Sequence, residues 1–158
     1  MKVVLTTCRG YVNGFFFIDD EDADLVLSRA WGLNSDGYAF SRINGRNQSA
    51  HRLVMGAGHG GNQIDHIDGN IWNNCKDNLR FASGSQNTAN RHVIRSSSGY
   101  RGVTFHRRAR KWQAAIKVMG KNKHLGLHET REAAALAYDR AAREIFGEFA
   151  IPNFSEAA

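Results

Sequence analysis

The segment Lys111-Trp112-Gln113-Ala114-Ala115-Ile116-Lys117-Val118 alternates: Trp112, Ala114, Ile116 and Val118 fall on one side, and Lys111, Gln113, Ala115 and Lys117 on the other. A strand with one face buried and the other free to meet solvent produces that pattern. Val103 and Phe105 before it, and Leu125 and Leu127 after it, extend the apolar row. The reading is a three-stranded antiparallel sheet with turns near 107–110 and 119–121. Its apolar face needs a cover. Thr130 can cap a helix that ends at Phe146-Gly147, and Ala133, Ala134, Ala137, Ala141 and Ala142 keep the packing side shallow. A sheet covered by a helix is an α+β arrangement. In 158 residues there is room for one medium domain or a few small ones, which excludes the large barrels and doubly wound folds.

Ser96-Ser97-Ser98-Gly99 reads as a flexible linker. The expected organisation is a small β-rich segment over 1–50, a second unit over 51–95, the linker over 96–99, and the sheet-plus-helix unit over 100–154. In the first segment Asp19 or Asp20 can cap a short helix running to about Ala30, and Asn44-Gly45 favours a type I′ hairpin. Cys8 and Cys75 have no cysteine near them in sequence, so a disulfide framework and a cysteine zinc site are both excluded. Two buried free thiols are expected. No apolar run approaches the roughly 20 residues that span a bilayer, and the N-terminus lacks a signal-peptide core, so a cytosolic location is the default.

The stretch from Gln63 to Arg91 carries the chemistry. A strand ending in Asp65-His66, a turn and loop, a second strand over Asn78–Ala82 and a helix starting around Ser85 would bring together Asp65, His66 and Asn87. Carboxylate and amide oxygens suit a hard divalent cation such as Mg²⁺ or Mn²⁺, which makes Asp65 and Asn87 the natural ligands. A neutral imidazole can take a proton from water near neutral pH, a role that fits His66. Asp68-Gly69-Asn70 is a routine turn former, and a lone histidine is usually structural. His59 lies in a glycine-rich loop, Gly56 to Gly61, without the Gly-Lys-Ser/Thr ending of a phosphate-binding loop, and receives no role.

The combination is more specific than its parts. His51-Arg52-Leu53-Val54, Asp65-His66-Ile67-Asp68-Gly69-Asn70, Asn78-Leu79-Arg80 and Gln86-Asn87 together resemble the HNH homing endonucleases of phages and mobile introns, over roughly residues 51–92. The resemblance implies a ββα-metal nuclease unit with Asp65 and Asn87 as metal ligands and His66 as the base that activates water. It makes Asn78 the central asparagine of the motif, which fastens the loop between the strands and holds His66 in register. Asn87 stands where some relatives carry a final histidine. His51 matches a histidine upstream of the motif, with packing, helix entry and catalysis all open.

Charge adds a partner. Residues 99–128 hold eight Lys or Arg and no Asp or Glu, a field that attracts a polyanion. Here Tyr100-Arg101-Gly102-Val103, Lys111-Trp112, Leu125-Gly126, Glu132-Ala133-Ala134, Ala137-Tyr138-Asp139, Ala141-Ala142 and Asn153-Phe154 resemble the plant ethylene-response-factor (APETALA-type) DNA-binding domain. That similarity implies reading of the major groove by Arg101, His106, Arg108, Lys117 and His124, with Arg107, Arg110, Lys111 and Lys123 on phosphates. Thr104 and Ala115 stand where plant members often carry base-contacting residues, so the target sequence does not transfer.

The expected protein is thus an endonuclease of homing type that hydrolyses phosphodiester bonds with one Mg²⁺ or Mn²⁺ and is directed to double-stranded DNA by its C-terminal module. No membrane and no protein partner are implied, and the resemblance suggests the cytoplasm of a bacterial host, as for a phage gene product. The competing reading is a sequence-specific DNA-binding regulator with an inactive nuclease unit, against which the intact Asp65, His66, Asn78 and Asn87 count. An RNA-binding protein would explain the charge but not this constellation.

Overall fold

Two-residue turns with positive φ at both positions shape much of the chain. Strands β1 (Lys2–Cys8) and β2 (Tyr11–Ile18) are joined at Arg9-Gly10, with φ of 51° and 83°. Strands β4 (Ala39–Ile43) and β5 (Arg46–Ser49) are joined at the expected Asn44-Gly45, with φ of 49° and 76°. This mirror-image turn matches the right-handed twist of the strands it joins. The computed structural model describes residues 1–58, 60–90 and 96–155; His59 lies outside them. The chain packs as two compact units, Met1–Phe81 and Ala82–Ala158, and the architecture is mixed α and β with several small sheets.

In the first unit, β3 (Gly32–Leu33) adds to the β4–β5 hairpin, and α2 (Ala50–Val54) follows β5 directly. Strand β6 (Gln63–His66) leads through a loop and a 3-10 turn, Lys76–Asn78, to β7 (Leu79–Ala82), its partner strand. Asn78 therefore ends the turn and does not open the strand. Val4, Phe16, Ile18, Val26, Trp31, Ala39, Ala50, Val54, Ile64 and Leu79 form the core.

The helix expected from Asp19 to about Ala30 is shorter: a 3-10 turn over Asp20–Asp22 and α1 (Ala23–Leu27). Neither acid caps it. The Lys76 N–H donates to Asp19 Oδ2 at 2.8 Å, and the N-terminal ammonium pairs with Asp20 at 2.9 Å. Both carboxylates answer partners distant in sequence, which a local capping argument does not see. The expectation of two buried thiols also fails: Cys8 is exposed at the end of β1 and Cys75 is half-buried. Cys8 shares the parity of buried Val4 and Thr6 but is the last residue of the strand, beyond the bulge that Asn13 makes in β2, where nothing covers it.

In the second unit, α3 (Gly84–Ala89) opens with a capping box in which Ser83 and Gln86 satisfy each other's backbone N–H groups. Strands β8 (Val103–His106), β9 (Lys111–Val118) and β10 (Lys121–His128) form an antiparallel sheet in the order β10-β9-β8. Helix α4 (Arg131–Phe146) covers one face. Thr130 Oγ1 accepts the Ala133 N–H at 3.1 Å, and the helix stops at Gly147, whose φ is 54°. The small side chains of α4 allow a close approach; Gly102 continues that logic, since a Cβ there would sit 2.0 Å from the Tyr138 ring and 2.7 Å from Ala115 O.

One expectation about faces changes. Pairing jumps from His124↔Ala115 to Gly126↔Ala114, so Leu125 is the extra residue of a bulge. Leu125 packs against the core, whereas Leu127 pairs with Gln113 on the opposite face and is exposed. The serines of the expected linker are tied into this unit. Ser96 and Ser98 Oγ both donate to Val103 O, at 2.6 and 2.8 Å, and Ser98 is buried.

Candidate functional site

The loop after β6 is organised by one amide. Asn78 Oδ1 accepts the Asp68 N–H at 3.0 Å, while its Nδ2 donates to Asp68 Oδ1 at 2.8 Å and to Asn73 O at 2.9 Å. The Ile67 N–H donates to Asn78 O at 2.9 Å. Asp68 also accepts the Asn70 N–H at 2.7 Å and Asn73 Nδ2 at 3.0 Å. Burial pushes the Asp68 carboxyl up, but hydrogen bonds from Asn73, the Asn70 backbone and Asn78 outweigh it and hold the group below its ordinary range. From the far side, Asp19 accepts Lys76 N–H, and Lys76 Nζ pairs with Glu21 and Asp22. The loop is thereby fixed at both ends.

His66, at the end of β6, is buried. Its Nε2 lies 3.3 Å from Asn74 Oδ1. The rings of His51 and Tyr38 flank it at 5.3 Å and 6.1 Å, and they touch each other at 5.4 Å. Ser49 Oγ and His51 Nε2 are 3.0 Å apart, at the entry to α2. Burial pushes the His66 pKa down; the Asn74 hydrogen bond and the carboxylates of Asp68 and Asp65 act the other way and do not cancel it. His51 is pushed down to about 4 by burial, then by His66 and Arg52. The downward shifts favour the neutral ring, the state in which a ring nitrogen can accept a proton.

Asp65 is buried in β6, and Arg80 Nε from β7 donates to its Oδ2 at 2.9 Å. The guanidinium fixes the direction of the carboxylate. Asn87 lies in α3, in the second unit, where its N–H donates to Ser83 O at 3.0 Å. Among the described residues no group of three or more His, Cys, Asp or Glu is arranged to hold a metal ion.

In the second unit, register sorts the basic residues. His106 pairs with Lys111, His124 with Ala115, and Asn122 with Lys117, so these residues share the face away from α4 with Gln113 and Thr104. Lys123 pairs with Ile116 and belongs by register to the other row, though it is exposed. Arg107, Arg108 and Arg110 lie in the exposed β8–β9 turn, where the Ala109 N–H donates to His106 Nδ1 at 3.1 Å. Lys111 Nζ pairs with Glu129 at 2.7 Å. Arg101 is half-buried, and Asn153 brackets it: Arg101 N–H donates to Asn153 Oδ1 at 2.6 Å, and Asn153 Nδ2 donates to Arg101 O at 3.1 Å. Buried Asp139 accepts from the backbone of Asn153 and Phe154 at 2.7 and 2.9 Å, which secures that bracket.

The structure thus places Asp65, His66 and Asn78 around one loop, with His51 against His66. Sequence reasoning gave no role to Asn74, Tyr38 or Arg80, each of which touches this group. An Asn-rich loop offered no sign of which amide faced inward.

Comparison with known proteins bears on the same stretch. The family model described as HNH endonuclease matches residues 48–89. A protein of Acanthamoeba polyphaga mimivirus, named as an uncharacterised HNH endonuclease, is 32% identical over 158 residues, covering 96% of this chain and 82% of the viral protein. Protein 3.8 of Escherichia phage T7 is 35% identical over 91 residues, 57% of this chain and 74% of its own length. APETALA2-like protein 2 of Oryza sativa subsp. indica is 51% identical over 59 residues, which is 37% of this chain and 14% of the plant protein. No solved structure matches. Among the described residues no helix is long and apolar enough to cross a membrane. A matched family model over the Asp-His loop, and a viral relative aligned along nearly the whole chain, place this chain in the HNH endonuclease family.

Proposed function

We propose that the protein is a divalent-metal-dependent DNA endonuclease of homing type, with His66 as general base. The observation that carries this reading is the buried His66 beside a loop anchored by Asn78. In the family pattern β6, β7 and α3 form the ββα unit, and Asp65 and Asn87 are the residues that would hold one Mg²⁺ or Mn²⁺. The buried Asp65 carboxylate, aimed by Arg80, and the all-oxygen donor set fit such an ion. Such an ion, held by Asp65 and Asn87, would supply positive charge to stabilise the transferring phosphate. His66 draws the proton from the attacking water, and Asn78 keeps the loop, and with it His66, in place. The expected products carry 5′-phosphate and 3′-hydroxyl ends.

The sheet face holding His106, Lys117 and His124, with Arg101 and Arg108, is the proposed reader of double-stranded DNA, and Arg107, Arg110, Lys111 and Lys123 the proposed phosphate contacts. A plasmid-cleavage assay with mapped ends tests the chemistry. His66→Ala is expected to slow cutting by about 10²–10⁴ while gel-shift affinity stays near wild type. Cutting at the wild-type rate removes His66 from the mechanism, and full activity in excess chelator removes the metal.

A further inference from the structure

An antiparallel hairpin at a protein surface ordinarily turns one apolar face to the core and one polar face to water. The β1–β2 hairpin does not. Residues paired directly across it share a face. Val4 opposite Phe16 lies in the core, whereas Val3 opposite Phe17 and Leu5 opposite Phe15 lie on the other side. Val12, opposite Thr7, continues that outer row past the bulge. Trp72 completes it: its carbonyl accepts the Phe17 N–H at 2.7 Å, and its ring lies 5.7 Å from that of Phe15, which meets Phe17 edge-on at 5.4 Å.

Val3 and Leu5 are each 56% exposed, Val12 61%, Phe15 42% and Trp72 45%. Side chains of this size at these exposures leave on the order of 500 Å² of apolar surface open, near the upper end of what a monomer shows in one patch. Among the described residues the row includes no Lys, Arg, Asp or Glu, and Thr7 is its one polar member.

Chemistry narrows the occupant. DNA contacts need cations, yet residues 1–50 carry five Lys or Arg against six Asp or Glu. A strongly charged protein partner would find no opposite charge on the row. A second copy of the chain sets the same uncharged row against this one, with no like charges facing each other across a twofold axis. Area agrees: an apolar centre of about 500 Å² with a polar rim approaches the ~800 Å² that each partner gives to a standard interface. We propose that the outer face of β1–β2, together with Trp72, is a self-association surface through which two copies of the chain dimerise about a twofold axis. Because Trp72 belongs to the loop that follows His66, the contact also fixes the two His66 loops relative to each other.

Sedimentation equilibrium of the full chain, without DNA, is the first measurement. A monomer–dimer equilibrium with a Kd of about 10 µM or tighter is expected. Leu5 stands at mid-row, so Leu5→Lys and Leu5→Glu each set like charges into the contact. Each is expected to weaken dimerisation by about tenfold or more, with urea unfolding near wild type, and an equimolar mixture of the two to recover part of that loss. Hydroxyl-radical oxidation of wild type needs no variant: Phe15 and Trp72 should become protected as dilute monomer is concentrated into dimer. A chain still monomeric at about 200 µM overturns the proposal. So does a dimer in which Phe15 and Trp72 oxidise as fast as in the monomer, or one whose Kd Leu5→Lys leaves unmoved. Protection of the two rings only on adding duplex DNA also overturns it, and gives the face to DNA.

Discussion

Asn78 commits both amide hydrogens and its amide oxygen to one loop, and the cost of losing them follows from burial. The group is buried, and its three hydrogen bonds hold the backbone N–H and the carboxylate of Asp68 and the backbone carbonyl of Asn73. Asn78→Ala leaves those partners without their contacts and is expected to destabilise the fold by about 1–3 kcal/mol, measured by urea unfolding. Cleavage should fall further than stability alone explains, because His66 sits at the end of the loosened strand. A second prediction concerns His51. Its pKa of about 4 lies below the ordinary 6.5, so the unfolded chain binds the proton more readily. The stabilisation is present above pH 6.5 and is lost as pH falls toward 4, so thermal stability should decline across that window. His51→Phe, which cannot titrate, should flatten the decline, and an unchanged profile would assign it to other groups. At this scale the sequence showed which residue types could do chemistry, and the Asp-His and Asn positions were legible through their motif. It did not show Asn74 against His66 or Arg80 against Asp65, because those contacts depend on how a loop folds back and no local spacing encodes that.

At the scale of elements, periodicity was a good guide wherever the period stayed intact. The alternation over Lys111–Val118 and the Thr130 cap emerge as β9 and α4. It failed at β10, where a one-residue bulge flips every side chain beyond it to the other face. Leu125 and Leu127 look equivalent in the pattern and are not. Leu125→Ala should cost about 2 kcal/mol, the low end for a core leucine given its partial burial, while Leu127→Ala should cost less than about 1 kcal/mol. Equal losses in denaturant titrations of the two variants would mean that the bulge is not maintained in solution. The acidic cluster failed for a related reason. Asp19 stabilises a turn 57 positions away in sequence, at Lys76, and leaves its own helix uncapped. Capping signatures are local, so a carboxylate recruited by a distant backbone is invisible to them.

For the whole molecule, charge distribution separates binding from chemistry. The acid-free stretch 99–128 carries eight cations, whereas His66, Asp65 and Asn78 belong to the first unit. If the second unit supplies the phosphate contacts, each contact releases condensed counterions and contributes roughly 0.9 to the slope of log affinity against log salt. Arg107→Ala, Arg110→Ala and Lys123→Ala in the full chain should each lower that slope by up to that amount and weaken all DNA sequences alike. Lys111 is a weaker candidate, because Glu129 already pairs with it and must be displaced before DNA can take its place. Lys111→Ala should therefore change the slope less than Arg110→Ala does. His66→Ala should leave the slope untouched, since a neutral imidazole neutralises no phosphate. The measurement is gel-shift affinity at several salt concentrations, with the same preparations assayed for cleavage. Should the triple variant of Arg107, Arg110 and Lys123 keep the wild-type slope, the backbone contacts lie outside the basic sheet and its turn, and targeting belongs to another part of the chain.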